Sequence, residues 1–275
     1  SYHHLSTSYV RGKWANSKKC HTSMLLAKSC HDMDIMMWMM SATKPTQIAS
    51  FGSKFQFKPE NAPEGAGTIC MKDCPYVDTC VYSTKRLYID HPDRWAFYVW
   101  DALEGKENPT IVDKIELMKS DSPYARCIYK CDNDVVDHQS VLINFASGAT
   151  GTLNMIGGSA EPRRDIHIIG TKGEIFGNFE ESKFTVLKID PSPEAHHEEC
   201  DVEEVDLKVT GDMVGAYGGH GGGDERLAAD FVKFIRGEKP SLACTSIFDS
   251  VAGHLCVYLA DNSRENGGIP QEVKL

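Results

Sequence analysis

No run of apolar residues in this chain approaches the roughly 20 that a helical membrane span needs. The opening, Ser1 to Ser6, has neither an initiator methionine nor the basic-then-apolar order of a secretory signal, so it reads as an excised stretch. Positive charge is short as well. There are 29 Lys and Arg against 39 Asp and Glu, a net charge of -10. Such a surface repels phosphate backbones and anionic lipid, which excludes nucleic acid and membrane as expected partners. Cysteine is present ten times, but the dense spacing of a small disulfide-stapled domain is missing. The thiols are spread over 275 residues of ordinary globular composition, 41% hydrophobic and 25% charged. Reduced thiols in a cytoplasm are expected, and the length allows one large domain with a sizeable core.

What the chain does have is one well-marked helix, read over Ser23 to Met40. Leu26, Cys30, Met33, Met37 and Met40 recur at helical spacing and form an apolar stripe. Ala27, His31, Asp34 and Trp38 form the stripe beside it, placing a carboxylate one turn beyond an imidazole. A histidine oriented by a carboxylate can move a proton near neutral pH, which makes His31 and Asp34 the candidate catalytic pair. Lys28 and Asp32 stand four apart and can pair next to them. Upstream, Arg11 and Trp14 flank a glycine-containing loop suited to gripping a polar ligand by charge and stacking.

Residues 58–82 read as an irregular, cysteine-rich loop insertion. Cys70, Cys74 and Cys80 fall within eleven residues, and thiolates at such spacing suit a structural zinc ion, although no fourth ligand is visible locally. From Arg126 onward, short β-rich runs follow one another, divided by Gly, Asn, Asp and Ser. They run from Cys127–Lys130 through Val141–Phe145, Gly151–Ile156, Ile166–Ile169, Gly173–Gly177 and Phe184–Ile189 to Val205–Val209. The order is that of an antiparallel meander rather than a β–α–β series, and the flanking helices can cover one face. Two amphipathic helices, Glu225 to Ile235 and 246–264, complete the chain. Before the first of them, five glycines surround His220, a loop whose backbone can approach a ligand closely. It is not a dinucleotide fingerprint, because no β–α–β unit accompanies it.

Several blocks together resemble the C-terminal half of the glucose–fructose oxidoreductase and inositol dehydrogenase (Gfo/Idh/MocA) family. They are Val10–Asn16, Leu26–Asp34, Cys131–Gln139, Ile169–Glu174 and the Gly218–Asp224 loop, in the family's order. The resemblance implies an α+β fold over residues 1–275: an open, mainly antiparallel β-sheet with helices packed on one face. The family's N-terminal Rossmann domain, which binds NAD or NADP, is absent from this chain, so no cofactor-binding residue is expected here. Glu238-Lys239-Pro240 matches a family motif in letters, but it follows a helix and is read as coincidence. The implied role is the substrate-binding and oligomerising half of an oxidoreductase acting on a sugar, cyclitol or derivative. The fragment by itself would be inactive and would form homo-oligomers through its sheet. By the same resemblance His31 trades a proton with the substrate hydroxyl and Asp34 fixes its tautomer, with Arg11, Trp14, Lys28, Asp32 and His220 around the substrate. One departure stands out: many members carry Asp four residues before the histidine, where this chain has Ala27. An NAD-dependent glycosidase and a non-catalytic binding or dimerisation module are the alternatives.

Overall fold

Alternation along His138–Phe145 sets the middle strand of a five-stranded sheet. Gln139, Val141, Ile143 and Phe145 are buried while Ser140, Leu142 and Asn144 are exposed, as a strand covered on one face requires. The computed structural model describes residues 2–3, 10–12, 15–91, 97–196, 200–207 and 223–275. They fall into two compact units, one of Ser1–Pro162 with Val251–Leu275, the other Arg163–Ser250.

The first unit holds, in chain order, β1 (Tyr2–His3), α1 (Ser17–Cys20), α2 (Cys30–Met39), β2 (Pro45–Ser53), α3 (Cys70–Asp73), α4 (Phe97–Trp100), α5 (Ile111–Lys119), β3 (His138–Phe145) and β4 (Thr150–Gly157). The second holds β5 (Asp165–Gly170), β6 (Gly173–Asn178), β7 (Lys183–Ile189), β8 (Cys200–Asp206) and α6 (Gly223–Ile235). Helix α7 (Ile247–Glu265) begins in the second unit and rejoins the first at Val251, and β9 (Gln271–Glu272) ends the chain.

In the first unit the strand order is β1-β4-β3-β2-β9, all antiparallel except β1 beside β4. Gly148, at φ 86°, closes the β3–β4 hairpin, where the Phe145 N–H donates to Ala149 O. One sheet face is covered by the helices: Met33 of α2 and Cys256, Val257 and Ala260 of α7 share a core with Ile48, Val141, Ile143 and Met155. On the opposite face Phe51 and Leu142 are exposed. A polar seam ties sheet to helix. The fully buried Gln139 donates from Nε2 to Ser50 Oγ (3.0 Å) and Asp261 Oδ1 (3.3 Å), and Ser50 N–H donates to Ser263 Oγ at 3.0 Å.

The second unit is an antiparallel sheet in the order β5-β6-β7-β8. Its tightest turn is Thr171–Lys172, between the paired Gly170 and Gly173. Gly173 sits at φ 149°, and a Cβ there would stand 2.0 Å from Leu187 O, so only glycine fits.

The α+β architecture with open antiparallel sheets agrees with the sequence reading, with local differences. The strands divide between two sheets. Cys127–Lys130 is no strand: Ile128–Lys130 form a 3-10 turn whose Ile128 and Tyr129 pack with Val10 and Phe57. The first strand is short, with residues 4–9 outside the described ones, and the last meander strand ends at Asp206.

One buried charge makes stability depend on pH. Lys114 on α5 is 1% exposed, its Nζ lies 4.2 Å from the centroid of the Trp100 ring, and burial pulls its pKa down to about 8. The unfolded lysine keeps its ordinary pKa near 10.4, so between about pH 8 and pH 10.4 unfolding takes up a proton and the folded state gains stability as pH rises. Lys114→Met should remove that slope in denaturant melts and raise stability at pH 7 by up to about 3 kcal/mol. A wild-type stability that stays flat over this range would show the ammonium to be well accommodated.

Candidate functional site

The chain enters α2 through an unusual turn. Ser23 Oγ accepts the Leu26 N–H at 3.0 Å and Ser23 O accepts the Ala27 N–H at 2.8 Å. Leu25–Ser29 is then π-helical before the α-helix proper begins at Cys30. The wide turn shifts the phase of the side chains before His31 relative to those after it, and such turns recur at functional sites. Met33 is buried, with Leu26, Cys30, Met37 and Met40 packed on the same core.

His31, the second residue of α2, is exposed, and its neighbour Asp32 is buried. Lys28 is half-buried in the π-helical turn. Asp34 does not take the place expected of it. Its Oδ1 lies 3.4 Å from where a Cβ on Gly253 would stand, so the carboxylate faces α7, and no hydrogen bond joins it to His31. Two helices approach closely at a glycine, and the side chain at 34 occupies that seam instead of turning back along its own helix. Trp14 and His220 lie outside the described residues.

A cleft of about 440 Å³ opens at the start of this helix. Its walls come from Ser17, His21 to Met24 and Leu26, from Asp134, Val135 and Val136, and from the end of α7 and the residue after it, Tyr258 to Asn266. The volume suits a small-molecule ligand. Asp134 accepts from Ser17 N–H (2.6 Å) and Ser17 Oγ (2.8 Å), which pins the segment leading to α2. Arg264 Nε stands 3.5 Å from Asp261 Oδ1 and its Nη2 donates to Glu265 at 2.9 Å. His21 reaches the wall from a left-handed backbone, φ 49°. His31 is not one of the lining residues; it lies five positions beyond Leu26, which is.

Arg11 has a different place from the ligand-gripping one expected. It is 2% exposed, and its Nε and Nη2 donate to Arg126 O and Tyr82 O, both at 2.7 Å. Burial alone would lower its pKa, but Tyr88, Cys131 and Cys70 around it outweigh that and raise it. The guanidinium therefore holds three chain segments together from inside. It shares a cavity of about 10 Å³ with Cys70, Cys74, Cys80 and Cys127.

The zinc expectation is not met by this arrangement. Among the described residues no three His, Cys, Asp or Glu side chains are gathered to hold a metal ion. Burial pushes the Cys80 and Cys127 thiols up and Cys131 up to about 11. None of the ten cysteines is joined in a disulfide.

The first unit thus presents a mainly antiparallel sheet covered on one face by α2 and α7, with an exposed histidine in the first turn of α2. The model of the oxidoreductase family C-terminal alpha/beta domain (GFO_IDH_MocA_C) matches residues 1–246, and the chain belongs to that Gfo/Idh/MocA family. It is 27% identical over 236 residues to YteT of Bacillus subtilis (strain 168), an alignment covering 84% of this chain and 50% of YteT. Among solved structures it resembles an oxidoreductase domain protein from Kribbella flavida (14% identity, TM-score 0.55, covering 95% of this chain and 54% of that one). It also resembles levoglucosan dehydrogenase in complex with NADH and levoglucosan (14% identity, TM-score 0.52, covering 98% of this chain and 55% of that one). The chain thus spans about half the length of the relatives it matches. None of the described helices is long and apolar enough to cross a membrane.

Proposed function

We propose that this chain is the substrate half of an NAD(P)-dependent oxidoreductase acting on a sugar, cyclitol or derivative, with His31 as the proton donor and acceptor. The observation that carries the reading is the exposed His31 imidazole at the start of α2, in a chain of this family whose segment leading into that helix lines a polar cleft through Leu26. Among the described residues the one parallel strand pair is β1 with β4, and no glycine-rich β–α–β unit accompanies it. In this reading the nicotinamide nucleotide belongs to a companion Rossmann domain. The complex of levoglucosan dehydrogenase with NADH and levoglucosan supports a carbohydrate-like substrate.

Oxidation of a carbinol strips hydride from carbon and leaves a proton on oxygen. A neutral imidazole with unperturbed pKa about 6.5 can accept that proton, and the protonated ring can return it in the reverse direction. The cleft contributes what a polyhydroxylated ligand requires: carboxylates at Asp134, Asp261 and Glu265, amides at Asn262 and Asn266, and the ring of Tyr258. Exposed Phe51 and Leu142, on the sheet face away from the helices, support association of copies through the sheet.

The test is turnover by the full-length protein with NAD or NADP and a panel of monosaccharides, anhydrosugars and cyclitols. Reduced nucleotide should accumulate in step with substrate consumed. Cleavage of a glycoside without net nucleotide reduction would replace this reading with the glycosidase one.

A further inference from the structure

Among the described residues three carboxylates line the cleft, and the fold treats them unequally. Asp134 spends both oxygens on Ser17, accepting its N–H at 2.6 Å and its hydroxyl at 2.8 Å. Glu265 stands out in solvent, its side chain 65% exposed, and its Oε1 accepts from Arg264 Nη2 at 2.9 Å. Asp261 is held from within the molecule, its side chain only 15% exposed. Its Oδ1 accepts from Gln139 Nε2 at 3.3 Å and lies 3.5 Å from Arg264 Nε. Oδ2 makes no hydrogen bond among the described residues, and it is not one of the buried polar atoms left without a partner, so it stays open to solvent.

The support behind Asp261 is specific. Gln139 on β3 is fully buried. Its amide nitrogen has two protons, and Nε2 gives one to Asp261 Oδ1 and the other to Ser50 Oγ at 3.0 Å. Ser50 Oγ therefore accepts at this point, and its own proton goes to Ser140 O at 3.0 Å. Turning the amide over would set Gln139 Oε1 against a carboxylate oxygen, so its orientation is fixed. Gln139 Oε1 is meanwhile buried with no hydrogen bond. A buried acceptor without a partner costs stability. The fold accepts that cost while both amide protons are committed, one of them to the wall of the cleft.

We infer that Asp261 is the ligand-binding carboxylate of this cleft, its Oδ2 accepting a hydrogen bond from a hydroxyl of an uncharged polyol, and that Gln139 is its positioning residue. The inference rests on the reading of this chain as the substrate half of an oxidoreductase. Arg264 spends Nε on Asp261 and Nη2 on Glu265, and its Nη1 makes no hydrogen bond among the described residues. A donor thus stands next to the acceptor, the combination that two adjacent hydroxyls require. Three carboxylates against one guanidinium make the cleft unfavourable for a sugar acid or a sugar phosphate.

In the full-length protein, on a sugar that the wild type oxidises, Asp261→Asn should raise KM by about tenfold or more and keep kcat within about threefold, because the hydrogen bond is made in ground state and transition state alike. Gln139→Met leaves the carboxylate but removes its buried donor, and should raise KM by a smaller factor, about threefold. The chain alone is titrated with uncharged monosaccharides, anhydrosugars and cyclitols. The backbone amide signals of Asn262 and Glu265 should shift with the tightest-binding member, and Asp261→Asn should weaken that binding by about tenfold. A merely architectural Asp261 would lower the melting temperature of the variant and leave KM and affinity at wild-type values, which would overturn the inference. Tighter binding of a sugar acid than of its uncharged counterpart, or no binding by any member of the panel, would overturn it as well. Loss of activity in His31→Ala with an unchanged KM in Asp261→Asn would overturn it while leaving the oxidoreductase reading intact. A full-length protein that oxidises none of these sugars would remove that reading, and the titration of the chain alone would still decide the role of Asp261.

Discussion

Replacing His31 by alanine should lower kcat of the full-length oxidoreductase by at least about a hundredfold, the usual size of a lost acid–base group. The expectation comes from where the side chain stands. A histidine kept for packing would sit with Met33 against the sheet; His31 is exposed at the first turn of α2. Asp34 has its Oδ1 3.4 Å from where a Cβ on Gly253 would stand, so the prediction rests on the imidazole and not on an Asp34 partner. Two consequences separate this from general damage. The alanine variant should melt at the wild-type temperature, because an exposed side chain contributes little burial. Asp34→Asn should cost far less in kcat than His31→Ala. A variant that oxidises substrate at the wild-type rate would remove His31 from the chemistry.

Arg11→Met should destabilise the first unit by about 3 kcal/mol or more, since it strips the donors from two buried carbonyl groups. Arg126 O and Tyr82 O each lose a 2.7 Å partner, and the guanidinium that faces Tyr88 and the thiols is gone. Arg11→Lys should recover little, because an ammonium cannot reach two carbonyls with one planar fork. Equilibrium urea melts measure both. Wild-type stability in Arg11→Met would mean that water replaces the lost donors and that the residue is closer to the surface than its burial indicates. Because its partners lie 115 and 71 residues away in sequence, nothing around Arg11 itself signals this use.

That contrast describes what is legible in the chain. Alternation in Val141–Phe145 and the apolar stripe through Cys30, Met33 and Met37 are local patterns, and both appear in the structure, the first as a strand and the second on α2. Features set by distant contacts are not legible in this way. Asp34 looks like a partner for His31 at helical spacing, yet a glycine on α7, more than two hundred residues later, draws it aside. The cysteines at 70, 74 and 80 have the spacing of metal ligands, but Arg11 sits among them. The cleft joins Asp134 to Asp261 and Arg264, and its polar seam runs through Gln139, 122 residues from Asp261.

The central claim is that this chain provides the sugar side and the proton, and its companion Rossmann domain the nucleotide. Calorimetric titration of NADH tests it most directly, first into this chain alone and then into the chain joined to that domain. The expected result is no saturable binding to the chain alone and a single saturable site in the joined protein. Saturable binding of NADH to the chain alone would place a nucleotide site within these 275 residues and contradict the division of labour.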